Sequence, residues 1–80
     1  MRYYFHVREQ ERLIRDREGS ELHDIVAARI EAWANARDFA IDDLRGGQRI
    51  GERHIEITDR EGTVLDCVSV TDAVAPRRLH

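Results

Sequence analysis

Hydrophobic and polar positions alternate from Arg2 to Arg8: Tyr3, Phe5 and Val7 fall on one side, Arg2, Tyr4, His6 and Arg8 on the other. A period of two is the repeat of a strand with one buried and one wet face. Glu9-Gln10-Glu11 reads as a polar connection, and Arg12-Leu13-Ile14-Arg15 predicts a short returning strand. Ser20-Glu21-Leu22 predicts a third, shorter one. Asp24 then stands as the N-cap of a long helix starting at Ile25, with Ser20 as the competing cap. The helix interior is rich in Ala and lacks Gly and Pro, so propensity agrees with pattern as far as Leu44 or Arg45. Gly46-Gly47 marks its stop. After a loop at Gln48 to Gly51, Arg53 to Thr58 alternates again, with Ile55 and Ile57 inward and His54 and Glu56 outward. Thr63 to Val70, rich in β-branched residues, predicts the last strand, with Leu65 expected in the core. Past Thr71 no period survives, and residues 71–80 read as a flexible tail. The pattern predicts one α+β domain over residues 1–70. Its elements run β-β-(β)-α-β-β, with one long helix on one face of a small antiparallel sheet.

The tetrapeptide Asp-Arg-Glu-Gly occurs twice, at Asp16 to Gly19 and at Asp59 to Gly62. Each copy follows a strand-like run and precedes another, so both read as hairpin turns. Asp16 and Asp59 can accept backbone N–H groups ahead of them, and Gly19 and Gly62 can take positive φ at no steric cost.

The helix carries more apolar surface than one sheet face requires. At 100° per residue Ile25, Ala28, Ala32, Ala36 and Phe39 form one stripe, expected to meet the sheet because small residues permit close approach. Val26, Ile30, Trp33, Ile41 and Leu44 form a second stripe beside it, interrupted by Arg37. Either the sheet curls over this flank or another subunit covers it.

Composition narrows the setting. Eighty residues with 41% hydrophobic and 36% charged content are ordinary for a globular domain near the lower limit of self-sufficiency. No apolar run reaches the ~20 residues of a membrane span, and no signal peptide is recognisable. The lone Cys67 allows no internal disulfide and fits a reducing cytoplasm. All thirteen basic residues are Arg, a usage that a GC-rich genome explains, and the net charge of −3 weighs against nucleic-acid binding.

Candidate chemistry is thin. His6, His23, His54 and His80 show no H-x-x-x-H spacing, and no C-x-x-C exists, so neither a metal nor a cofactor is expected. His6 and His54 share the polar side of their strands and could face each other if those strands are neighbours. Cys67, within a β-branched strand, reads as a small buried hydrophobe with no evident base beside it. The Asp-Arg-Glu-Gly turns offer too few oxygen ligands for calcium, and Gly46-Gly47 lacks the Lys and Ser/Thr of a phosphate loop. Tyr3 and Phe5 could suggest an RNA-binding aromatic platform, but that fold needs two helices and a basic surface, which this chain does not show, so core packing is expected to account for them.

The opening Arg2-Tyr3-Tyr4-Phe5-His6-Val7-Arg8, the Asp16-x-x-Gly19-x-Glu21-Leu22 segment, the Asp24-capped helix and Asp59-x-x-Gly62-x-Val64-Leu65 carry a resemblance over residues 2–70. They resemble a family of small proteins of unknown function from GC-rich, soil- and plant-associated alphaproteobacteria. The resemblance implies no activity, cofactor or catalytic residue. His23 stands where the family pattern has Pro, and Val26 and Ile30 are bulkier than its residues there. In layout alone, the first half is also similar to antitoxins of the HicB type, though no helix-turn-helix follows.

The resulting expectation is a cytoplasmic, non-catalytic protein-binding or assembly module, pairing with itself as a homodimer or with another protein through Val26, Ile30, Trp33 and Ile41. Neither membrane nor nucleic acid is expected as a partner. The alternatives are a small ligand-binding protein or enzyme using His6 and His54 on the polar sheet face, or an antitoxin-like or nucleic-acid-binding regulator.

Overall fold

The computed structural model describes residues 1–74. Strands β1 (Arg2–Glu9), β2 (Arg12–Ile14) and β3 (Ser20–Glu21) precede helix α1 (Ile25–Arg45), which is followed by β4 (Arg53–Thr58), β5 (Val64–Ser69) and helix α2 (Val70–Val74). The antiparallel sheet has the order β2-β1-β4-β5, with β3 also on β1. Tyr3, Phe5, Ile55, Ile57 and Val68 point to one face, where they are buried under Ala28, Ala32, Ala36 and Ala40 of α1. The alanine stripe is thus the sheet contact, as its spacing predicts.

Local chemistry sets the ends of α1. The Asp24 carboxylate accepts the Ala27 N–H at 2.9 Å, which caps one of the free donors of the first turn. At the other end the Gly47 N–H reaches Leu44 O and the Gln48 N–H reaches Asp43 O, with Gly47 at φ +73°. That paired closure needs a left-handed residue, and glycine supplies it. The Asp43 carboxylate then accepts the Gly51 N–H at 3.0 Å and pairs with Arg53, tying the connecting loop to β4. The Gly51 hydrogen bond first, and the Arg53 guanidinium after it, hold the Asp43 carboxyl below the usual carboxylate range.

Asp66, held by Arg29, and Glu21, held by the N-terminal ammonium, are shifted the same way. For carboxyls whose folded pKa is depressed, the stabilisation is complete above the unfolded value near ~4 and disappears as pH falls through the folded value. Asp43→Asn should therefore lower the melting temperature at pH 7 but narrow the gap between melts at pH 7 and pH 3. An unchanged gap would mean that Asp43 does not contribute to the acid sensitivity.

Three expectations are corrected. Leu65 is not in the core but 39% exposed. Thr58 opposes Val64 while Ile57 opposes Asp66, so Leu65 is the extra residue of a β-bulge and turns to the open face. Cys67 lies on that same face and is exposed, because the bulge resets the alternation of β5. Residues 71–74, expected as tail, are helical: Val70 is fully buried and α2 packs on α1. The rest of that expectation, residues 75–80, lies outside the described residues.

Candidate functional site

The two Asp-Arg-Glu-Gly copies share a local conformation but not a topological role. In both, the Asp side chain accepts the N–H two residues on (Glu18 at 3.3 Å, Glu61 at 3.0 Å), and the glycine has positive φ. The second copy closes the β4–β5 hairpin through Gly62 N–H to Asp59 O and Asp59 N–H to Thr63 O. The first is no hairpin. Both β2 and β3 run antiparallel to β1 along the same edge, so they are parallel in direction to each other. The turn carries the chain past the middle of β1, which pairs with β4 on its other side but with no strand on this edge. There Asp16 replaces the missing strand: Oδ2 accepts the Phe5 N–H at 3.1 Å while Oδ1 accepts the Gly19 N–H at 3.1 Å.

This arrangement determines what His6 can do. Its Nδ1 accepts the backbone N–H of Asp16 at 3.0 Å, and its Nε2 lies 3.2 Å from the Thr58 hydroxyl. The pattern requires the tautomer with the ring proton on Nε2. Strands β1 and β4 are neighbours, but His6 opposes Glu56 and His54 opposes Arg8, so the two histidines do not face each other. Instead Arg8 and Glu56 form an ion pair at 2.7 Å across the open face. Partial burial of the sulfur first, then the carboxylates of Glu56 and Asp66, push the Cys67 thiol up, away from the thiolate a nucleophile needs. Among the described residues no group of three His, Cys, Asp or Glu is placed to hold a metal ion, and no helix is long and apolar enough to cross a membrane.

Two features escape a linear reading. The chain brings both turns to one groove, where Arg15, Arg17 and Arg60 flank the stacked rings of Tyr4 and His6, 6.3 Å apart. Repetition of the tetrapeptide was the only signal, and it does not say that the copies meet. A second groove of about 330 Å³, between α1 and the β1 edge, has Phe5, Val7, Phe39 and Ile55 as its floor. Its rim is acidic, with Asp16, Glu31, Asp38 and Asp42.

The α1 flank is an extended exposed apolar feature. Val26, Ile30, Trp33, Ile41 and Leu44 are all exposed, Ile30 by 67% and Trp33 by 43%. The sheet does not curl over them, which removes one of the two expected fates of this flank. Small monomers seldom leave contiguous apolar surface of this kind in water.

Neither a curated protein nor a solved structure matches the chain. A family model described as a domain of unknown function (DUF6894) matches residues 2–71, and the chain belongs to that family.

Proposed function

We propose that this DUF6894 member is a non-catalytic protein-binding or assembly module, working in the cytoplasm through the flank of α1. The observation that carries the reading is the exposure of Val26, Ile30, Trp33, Ile41 and Leu44 on a helix whose other apolar stripe is already buried. Covering such a flank removes apolar surface from water at roughly 25 cal/mol per Å², a large gain for a domain this small. The engaged nitrogens of His6 and the raised thiol of Cys67 favour binding over catalysis. The acidic groove rim and the net charge of −3 favour a protein partner over nucleic acid.

Light scattering across a concentration series tests this. Wild type should exceed 9.3 kDa at high micromolar concentration, and the excess should disappear on dilution. A mass of one chain at every concentration would defeat self-assembly through the flank.

A second reading, a small-ligand protein using the polar sheet face, is favoured by Arg15, Arg17 and Arg60, which outnumber Asp16 and Glu61 in the groove beside Tyr4 and His6. Guanidinium groups placed together suit an oxyanion. Titration with inorganic phosphate should then shift the Tyr4 and His6 NMR resonances in wild type but not in Arg17→Gln/Arg60→Gln. Resonances indifferent to phosphate would remove this reading.

A further inference from the structure

The exposed flank of α1 is nearly symmetrical about its own midpoint. Relative to Asn35, Trp33 lies two residues before and Arg37 two after. Ile30 lies five before and Ile41 six after; Val26 lies nine before and Leu44 nine after. At 100° per residue these six positions fall within about 80° of one another, so they make one straight seam. From Val26 to Leu44 the seam is about 27 Å long at 1.5 Å per residue.

One residue in this apolar seam is charged. Arg37 is exposed and, among the described residues, forms no ion pair. Trp33 is one turn away, and the cation–π contact among the described residues is that of Arg53 with Phe39, so none of them places a cation over the Trp33 ring. Among the described residues, a guanidinium and an indole therefore both lack a partner at the centre of the seam.

We propose that a second copy of this chain covers the flank, with its α1 antiparallel to the first across a two-fold axis level with Asn35. The inference rests on the reading of the flank as an interface. Antiparallel pairing sets Val26 against the partner's Leu44, Ile30 against the partner's Ile41, and Trp33 under the partner's Arg37. Every contact occurs twice, as a two-fold requires. A parallel pair would instead oppose Arg37 to the partner's Arg37, placing like charges in an otherwise apolar seam. The lone charge thus selects the direction, and stacking on indole is the interaction guanidinium favours.

The test is disulfide trapping in the full chain, with Cys67→Ser removing the native thiol. Val26→Cys and Leu44→Cys chains are oxidised separately and as a mixture, and the products are read by non-reducing mass spectrometry. The expected result is a mixed dimer joining the two different variants, with little cross-linking of either alone. Cross-links within each variant alone would overturn the antiparallel arrangement while leaving the interface reading intact. A wild-type chain that stays monomeric by light scattering would overturn pairing of the flank with a second copy in any arrangement. Arg37→Gln should weaken dimerisation about tenfold, since two stacks are lost per dimer. It should also move the concentration-dependent change in Trp33 emission to about tenfold higher concentration. Unchanged affinity and emission in that variant would overturn the Trp33–Arg37 pairing.

Discussion

Gly19→Val should lower stability by roughly 3 kcal/mol, about twice the loss expected from the same substitution at Gly62, although the two glycines end identical tetrapeptides. Both sit at positive φ, +70° and +85°, where a β-branched residue costs on the order of 1–2 kcal/mol in left-handed strain. Gly62 meets nothing further: a Cβ built there finds open space. At Gly19 the same Cβ would lie 2.9 Å from the carbonyl oxygen of Tyr3 and 2.9 Å from the Tyr4 ring. The ring could rotate, but the carbonyl belongs to a paired strand and cannot yield without moving β1. Overpacking of that kind adds typically ~1–3 kcal/mol. For a chain of this size, each ~1 kcal/mol moves the melting temperature by ~4–8 °C, so thermal melts of the two variants should separate clearly. Equal losses would mean that the Asp16 turn does not press on β1 as described.

That asymmetry shows where the sequence was legible and where it was not. Period-two alternation located β1 and β4, and the alanine spacing identified the buried stripe of α1, because both are local repeats imposed by one dominant face. The Asp24 cap and the Gly46-Gly47 stop were legible for the same reason: their hydrogen bonds are made within a few residues. The first Asp-Arg-Glu-Gly copy misled because its role depends on β1, more than ten residues upstream. Nothing in Asp16 to Gly19 announces that the carboxylate bonds the Phe5 N–H and not only its own turn. His6 carries no motif either, since its partners come from Asp16 and Thr58. Leu65 was misplaced by one inserted residue, enough to reverse an alternation. Helix α2 spans five residues, too few for a helical period to register. The exposed flank, by contrast, was visible as surplus: two apolar stripes on a helix with one sheet to cover.

Two glutamate substitutions only two positions apart on α1 should have opposite consequences, and together they fix the helix's rotation and the role of its flank. Ala32 is completely buried between α1 and the sheet, beside Ile55 and Ile57 in the same core. A glutamate there must either bury a carboxylate without a partner or lift the helix from the sheet. Losses above ~4 kcal/mol follow from such a site, comparable with the ~4–12 kcal/mol total expected for eighty residues. Ala32→Glu should therefore be largely unfolded by circular dichroism at 25 °C. Ile30 points 160° away from Ala32 on the helical wheel at ~100° per residue, and is 67% exposed. In a single chain Ile30→Glu exchanges an exposed apolar side chain for an exposed charge, so helical content and amide dispersion should match wild type. In a dimer closed through the flank, the same glutamate would enter an apolar seam, and its desolvation opposes association. Ile30→Glu should thus be folded and monomeric where wild type is dimeric, with a melting temperature independent of concentration. Unfolding of Ile30→Glu would instead show that residue 30 faces the core of its own chain. A folded Ile30→Glu that remains dimeric would move the interface off α1.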